Sequence, residues 1–231
     1  MKQYTDIFFD LDNTLWDLDT NASETLHELY HKFNLTDLGV PSFEIFFEKY
    51  KLRNEMMWEQ YRLGKIDKVN LRDTRFTLTF WDMGLDSDLA PKELASEFIR
   101  IGPKKSKLFP HAHEVLSYLK EKYKLHIITN GFEESQHIKL TSSDLTKYFQ
   151  NIIISEHTGY KKPDIRIFQY SAESANATAD NCMMVGDTLA VDIIGAQDAG
   201  WDTIYFNPGR LPHNEMPTHE VVSLDKLLKI L

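Results

Sequence analysis

Three scarcities narrow what this 231-residue chain can be. It has one cysteine, Cys182, so no internal disulfide can form, and a reducing cytoplasm is the predicted compartment. No apolar run approaches the roughly 20 residues that a membrane span needs, and Asp10 interrupts the first apolar stretch too early for a signal peptide. Basic residues number 26 against 35 acidic ones, a net charge of −9, which argues against binding nucleic-acid polymers or anionic membranes.

The hydrophobic pattern divides the chain into three sections. Residues 6–9 read as a short buried strand, and residues 17–103 show apolar positions at helical spacing without a convincing strand. Beyond residue 103, four further buried strands alternate with helices. We therefore predict an α/β fold, a doubly wound parallel sheet with right-handed crossovers. Residues 1–16 and 104–231 form the predicted core, and residues 17–103 form an all-helical domain inserted between two hinges.

Polar residues follow four of the predicted strands at once. In an open α/β sheet, ligands bind at the carboxyl ends of the strands, so these residues are expected to converge on one crevice. Each stretch alone is an ordinary turn or loop, and only the combination points to a site. The stretches are residues 10–14 (DLDNT), residues 129–131 (TNG), residues 161–164 (KKPD) and residues 186–187 (GD), with Asp192 five residues further on.

The acids among these residues predict a metal site and a nucleophile. Asp10 and Asp12 are two apart and point to one side if the backbone stays extended. Two carboxylates at such a short distance repel each other unless a cation lies between them. With Asp187 as a third oxygen donor, the set suits Mg²⁺ better than zinc. Asp10 could then attack phosphorus, with Asp12 protonating the leaving oxygen and later activating water.

The remaining polar residues fit an oxyanion. Thr129 and Asn130 offer hydroxyl and amide donors, and Lys162 offers a positive charge. A phosphoryl group carries the oxygens that such donors bind. We therefore predict that Thr129, Asn130 and Lys162 bind the phosphate of the substrate.

In order along the chain, these stretches resemble the four motifs of the haloacid dehalogenase superfamily, and the helical insert resembles its C1 cap. The resemblance implies a Rossmann-like sheet with strand order 3-2-1-4-5 and an aspartyl-phosphate intermediate. It also implies that Mg²⁺ binds the Asp10 side chain, the Asp12 backbone carbonyl and the Asp187 side chain. Asp192 would then orient the waters on the metal or Lys162.

The predicted function is a Mg²⁺-dependent phosphomonoester hydrolase that acts on a small phosphorylated metabolite, as a monomer or weak homodimer. Within the superfamily, the motif and cap sequences look most like bacterial pyrimidine 5′-nucleotidases, which implies a nucleoside 5′-monophosphate substrate. A phosphoglycolate or sugar-phosphate phosphatase is the alternative. Carbon–halogen hydrolysis is disfavoured, because dehalogenases of this superfamily work without metal and lack the second acid at the position of Asp12. A signalling receiver domain is about half this length and has no helical insert.

The helical insert carries an aromatic stripe that is expected to form chiefly its own core. The insert is also the predicted lid and the predicted source of substrate specificity. Trp58 and Arg75 are the first candidates for substrate contacts within it. Trp16, directly after the first motif, is a further candidate for lining the site.

Overall fold

The computed structural model describes residues 3–231. The strands are β1 (Asp6–Phe9), β2 (Lys124–Thr129), β3 (Asn151–Ile154), β4 (Cys182–Gly186), β5 (Asp202–Phe206) and β6 (His219–Val221). The α-helices are α1 (Leu18–Lys32), α2 (Phe43–Arg62), α3 (Lys68–Asp82), α4 (Leu94–Ile101), α5 (Ala112–Leu119), α6 (Glu133–Ser142), α7 (Ser155–Thr158), α8 (Ile165–Ala175) and α9 (Ile194–Asp198). Among these described helices, none is long and apolar enough to cross a membrane.

The chain forms two compact units. One consists of the residues up to Leu18 together with Ser106–Leu231, and the other is Asp19–Lys105. The first unit contains the sheet, and the second contains α-helices and 3-10 turns without a strand in its described residues.

The sheet unit is built on one parallel sheet in the order β3-β2-β1-β4-β5-β6. The predicted order 3-2-1-4-5 is therefore confirmed, and β6 adds an edge strand that the sequence analysis lacked. β6 is three residues long and two of them are exposed, so it carries no apolar run that would have predicted it. The central strand is β1, paired with β2 on one side and β4 on the other.

Alternating side chains of β1 face two separate hydrophobic layers. Ile7 and Phe9 are fully buried in one layer, which includes residues of α5. Phe8 is fully buried in the other, where its ring centroid lies 4.6 Å from that of Trp201. Burial on both faces is typical of a parallel sheet covered by helices. This packing fixes the carboxyl end of β1 in the middle of the sheet.

The helical unit has its own core. Rings from α2 and α3 pack together, with Tyr50 and Phe76 stacked at a centroid separation of 5.4 Å. Two helices begin at side-chain caps, where Ser42 accepts from the backbone N–H of Ile45 and Asp67 accepts from that of Asn70. These local and tertiary interactions explain why residues 19–105 fold as helices around an aromatic interior.

Arg75 and Trp58, the two candidate substrate contacts, differ in their surroundings within this unit. The Arg75 guanidinium is buried, lies 4.8 Å from the ring centroid of Phe98 and donates to Asn54 Oδ1 at 3.1 Å. Trp58 is half-buried and packs edge-on against Tyr61. Arg75 therefore supports the interior of the unit, so its substitution would also disturb the packing. Trp58 is the better residue with which to test substrate selection, because it is only half-buried.

The buried His126–Asp6 pair predicts a loss of stability in acid. His126 Nε2 lies 3.0 Å from Asp6 Oδ1, and burial lowers the pKa of His126 below its ordinary value, although Asp6 opposes this shift. The unfolded chain therefore takes up a proton at a higher pH than the folded chain does, and stability falls as the pH drops below about 6.5. We expect the melting temperature of the wild type to fall more between about pH 7.5 and pH 5.5 than that of His126→Gln. Parallel Tm curves for the two proteins would contradict this.

Candidate active site

Two neighbouring strands bring three carboxylates together. Asp10 follows β1 directly, and its backbone N–H donates to the carbonyl oxygen of Val185 in β4 at 2.9 Å. Asp187 follows β4 directly, and Asp192 lies in the helical turn after it. Carboxylate oxygens of Asp10, Asp187 and Asp192 all lie within 4.8 Å of one another. The predicted convergence of the first and last motifs is therefore present in the structure.

Lys162 lies among these carboxylates. Its side chain is 2% exposed, and its Nζ is 2.6 Å from Asp10 Oδ1 and 2.7 Å from Asp192 Oδ1. The Lys162 ammonium thus links the acid at the end of β1 to the acid in the turn after β4.

Asn130 fixes the backbone of Lys162. Its Nδ2 donates to the Lys162 carbonyl oxygen at 2.9 Å, and its Oδ1 accepts from the Lys162 backbone N–H at 2.9 Å. Both polar ends of the Asn130 amide are therefore used to hold the loop that carries Lys162. A direct contact of Asn130 with phosphate stays a prediction.

Further short contacts complete the strand ends. The Thr129 hydroxyl, at the end of β2, accepts from the backbone N–H of Gly131 at 3.0 Å. The Thr14 hydroxyl donates to Asp187 Oδ1 at 3.2 Å, and the Thr188 backbone N–H donates to Asp192 Oδ2 at 3.1 Å. Thr14 was not singled out in the sequence analysis, although it lies within the first motif.

Asp12 has a different environment from Asp10. Its carboxylate is not part of the three-carboxylate group and instead contacts α6. Lys139 Nζ lies 2.6 Å from Asp12 Oδ1, and Gln136 Nε2 donates to Asp12 Oδ2 at 3.0 Å. Gln136 and Lys139 were not among the site residues predicted from the motifs. Their spacing of three residues, just after the 129–131 motif, is the signal that places both on one helical face.

Burial and like charges shift the pKa values of the clustered groups. Burial raises the pKa of Asp10 to about 7, against the lowering effect of Lys162 and with a further rise from Asp192 and Asp12. Burial, followed by the charges of Asp10 and Asp192, also raises the pKa of Asp187 well above its usual value. Burial by itself would lower the pKa of Lys162, but the charges of Asp10 and Asp192 outweigh it and raise that pKa.

One lysine ammonium lies among three carboxylates, whose mutual repulsion adds to the effect of burial in raising the pKa values of Asp10 and Asp187. Asp10 and Asp187 would ionise more readily with a further positive charge beside them. The donor atoms are all oxygen, which is the ligand type that Mg²⁺ prefers. The residues present therefore fit a divalent cation of the Mg²⁺ type, held by Asp10 and Asp187.

The sheet order and the charged groups at its strand ends define a doubly wound α/β enzyme. A family model described as haloacid dehalogenase-like hydrolase matches residues 7–200. The chain belongs to this family of hydrolases.

Three relatives cover nearly the whole chain. The crystal structure of the HAD-hydrolase YfnB from Bacillus subtilis bound to magnesium is similar, with a TM-score of 0.88, 30% identity and coverage of 99% of both chains. Pyrimidine 5′-nucleotidase PynA of Streptococcus pneumoniae is 33% identical over 99% of this chain and 95% of its own. Glyceraldehyde 3-phosphate phosphatase of Pyrococcus furiosus is 28% identical over 100% and 94%.

Gly186 provides a test of the carboxylate arrangement. A Cβ atom at Gly186 would lie 2.5 Å from both Cβ and Oδ2 of Asp192, too close for any side chain. We expect Gly186→Ala to displace Asp192, to lower the free energy of unfolding by about 1–3 kcal/mol and to reduce activity. Chemical denaturation and hydrolysis assays would measure both effects.

Gly209→Ala is the matched control for this substitution. Gly209 is exposed, and the nearest atoms to an added Cβ belong to the Leu211 side chain at 3.6 Å. Gly209→Ala should therefore leave both stability and activity near the wild-type values. If Gly186→Ala behaved like Gly209→Ala, the close approach of Asp192 to the strand end would be refuted.

Proposed function

We propose that the chain is a Mg²⁺-dependent phosphomonoester hydrolase that works through an aspartyl-phosphate on Asp10. The observation that carries the proposal is the buried Lys162 ammonium, 2.6 Å from Asp10 Oδ1 and 2.7 Å from Asp192 Oδ1, beside Asp187. A carboxylate nucleophile attacking an anionic phosphate needs positive charge at the point of attack. Membership of a hydrolase family agrees with this chemistry.

Each residue of the site has its own part in the proposed reaction. An oxygen of Asp10 attacks phosphorus, the bond from phosphorus to the ester oxygen breaks, and Asp12 gives its proton to that leaving oxygen. Water then attacks the phosphorus of the aspartyl-phosphate and gives a proton to Asp12. The bond between phosphorus and the Asp10 oxygen breaks, which releases phosphate and restores the Asp10 carboxylate. Lys162 and the Thr129 hydroxyl would contact the phosphoryl oxygens, and Asp192 would hold Lys162. When bound by Asp10, Asp187 and the Asp12 carbonyl, Mg²⁺ supplies positive charge that reduces repulsion between nucleophile and phosphate.

A nucleoside 5′-monophosphate, with preference for a pyrimidine base, is the proposed substrate. The similarity to PynA over nearly the full length supports it. A sugar phosphate or a related three-carbon phosphate is the alternative, supported by the similarity to the Pyrococcus phosphatase. Asp12 argues against dehalogenation, because a carbon–halogen bond releases halide, which needs no proton from a second acid.

The remaining proposals follow the sequence. The partner is a small phosphorylated metabolite, and the chain would act as a monomer or weak homodimer. The compartment we propose is the cytoplasm, because a chain with one cysteine cannot form an internal disulfide. Asp19–Lys105 is proposed to supply the lid and the substrate specificity.

A phosphate-release panel tests the reaction and the substrate class together. Nucleoside 5′-monophosphates, glyceraldehyde 3-phosphate and phosphoglycolate would be compared with and without Mg²⁺. We expect activity only with the metal, the highest kcat/KM for pyrimidine nucleotides, and a loss of about 10³-fold or more in Asp10→Asn, because an amide is a far weaker nucleophile than a carboxylate. Undiminished turnover in Asp10→Asn, or in excess chelator, would refute the mechanism.

Trp58→Ala tests whether the helical unit selects the substrate. In the proposed mechanism the core residues contact the metal and the phosphate group, and the phosphate group is common to all phosphomonoesters. Discrimination between substrates must therefore come from other residues. We expect Trp58→Ala to change the ratio of kcat/KM between nucleotides and sugar phosphates by about 10-fold, the effect of losing one aromatic contact. Hydrolysis of acetyl phosphate should change little.

The control is Trp81→Ala, which removes a tryptophan that is 67% exposed in the same unit. It should leave the ranking of substrates unchanged. A common scaling of all substrates by Trp58→Ala would mean that this side chain plays no part in selection.

A further inference from the structure

Two side chains on one face of α6 converge on a single carboxylate. Lys139 Nζ lies 2.6 Å from Asp12 Oδ1, and Gln136 Nε2 lies 3.0 Å from Asp12 Oδ2. Because the two residues are three apart in a helix, their side chains lie side by side. Each oxygen of the carboxylate therefore has its own donor, and rotation of the group about its Cβ–Cγ bond is restricted.

The Lys139 ammonium is itself held from a second direction. It lies 4.4 Å from the ring centroid of Trp16, within the range of a cation–π interaction. The residue is 8% exposed, so its charge is largely removed from water. The Lys139 ammonium that contacts Asp12 is therefore held in place, unlike that of a mobile surface lysine.

Stability alone does not account for these contacts. Gln136 is 1% exposed, and its Oε1 has no hydrogen-bond donor among the described residues. A buried amide oxygen without a partner destabilises a fold, and a buried ion pair contributes little net stability compared with apolar side chains of similar volume. A residue pair that brings such penalties is more readily explained by what it does to Asp12.

The turn before α6 is shaped to admit Gln136. A Cβ atom at Gly131 would lie 1.7 Å from Gln136 Nε2, so only glycine leaves room for the amide at this place. Gly131 follows Thr129, the last residue of β2, and Asn130, and both of these belong to the proposed phosphate site. The approach of Gln136 to Asp12 is therefore built into the strand end.

We propose that Lys139 and Gln136 are positioning residues that hold the Asp12 carboxyl group for its two proton transfers. The inference rests on the proposed function, in which Asp12 must reach first the leaving oxygen and then the attacking water. Proton transfer is efficient only within hydrogen-bond reach of the reacting atom, so a carboxyl group that rotates freely would spend much of its time misaligned. In this proposal both residues act through Asp12 and not by direct contact with the substrate.

A double-mutant cycle tests this directly. Lys139→Met keeps an unbranched side chain of nearly the same length and removes the ammonium. For a substrate with a poor leaving group, such as a nucleoside monophosphate, we expect it to lower kcat by about 10-fold or more, with a smaller loss for p-nitrophenyl phosphate, which needs less protonation. In an Asp12→Ala background, measured with p-nitrophenyl phosphate, the same substitution should change kcat by less than about 2-fold.

Further measurements exclude a general effect on the fold or on the metal. The affinity for Mg²⁺, measured by calorimetry, should be unchanged in Lys139→Met, because the Asp12 side chain is not a proposed ligand. KM should change less than kcat, and Lys139→Arg should restore part of the activity because it returns a cation. Lys147→Met removes an exposed lysine paired with Asp144 and should match the wild type. Gln136→Met gives a second, independent variant if Lys139→Met does not fold.

The outcomes separate the two proposals. If Lys139→Met and Gln136→Met keep wild-type kcat, or if Lys139→Met is as harmful without Asp12 as with it, the positioning role is wrong while Asp10→Asn still inactivates the enzyme. If Asp10→Asn retains activity, the proposed function is wrong, and the positioning role is overturned with it. A weakened affinity for Mg²⁺ in both variants would assign Lys139 and Gln136 to the metal site instead.

Discussion

A lysine ammonium buried among carboxylates is the interaction on which the candidate active site depends. Lys162 contacts Asp10 and Asp192 at 2.6 and 2.7 Å, in a position only 2% exposed. Removing one partner from a buried ion pair typically destabilises a protein by about 3–5 kcal/mol, because the other charge remains buried. Burial, together with the neighbouring carboxylates, raises the pKa values of Asp10 and Asp187. A cation beside these carboxylate oxygens would favour their ionised forms.

The parallel sheet explains how residues distant in sequence meet in this way. β1 and β4 are adjacent and in register, with Phe9 opposite Val185, so the residues that follow each strand emerge side by side. β2 lies on the other side of β1 and delivers Asn130, whose amide ties down the backbone of Lys162. The grouping of these side chains is thus a direct result of strand order. A different order would leave the same motifs apart.

Small residues at the strand ends permit this close packing of polar groups. Gly186 leaves space for Asp192 behind the end of β4, and Gly131 leaves space for Gln136 after β2. The outcome is two acids, Asp10 and Asp12, that are neighbours in sequence but have different surroundings. Asp10 lies with Lys162 and the other carboxylates, whereas Asp12 is held by α6. Different environments allow two similar side chains to take different parts in one reaction.

The sequence alone predicted a parallel α/β core with a helical insert, because buried strands and amphipathic helices leave clear periodicities. The order of the five main strands was implied by the resemblance of the motifs to the haloacid dehalogenase superfamily and not by periodicity. The sequence also predicted which polar residues follow which strands. Only the tertiary structure decided that Asn130 holds the Lys162 backbone, that α6 reaches Asp12 through Lys139, and that β6 extends the sheet. Side-chain direction and edge pairing depend on contacts between distant segments, which no local pattern encodes.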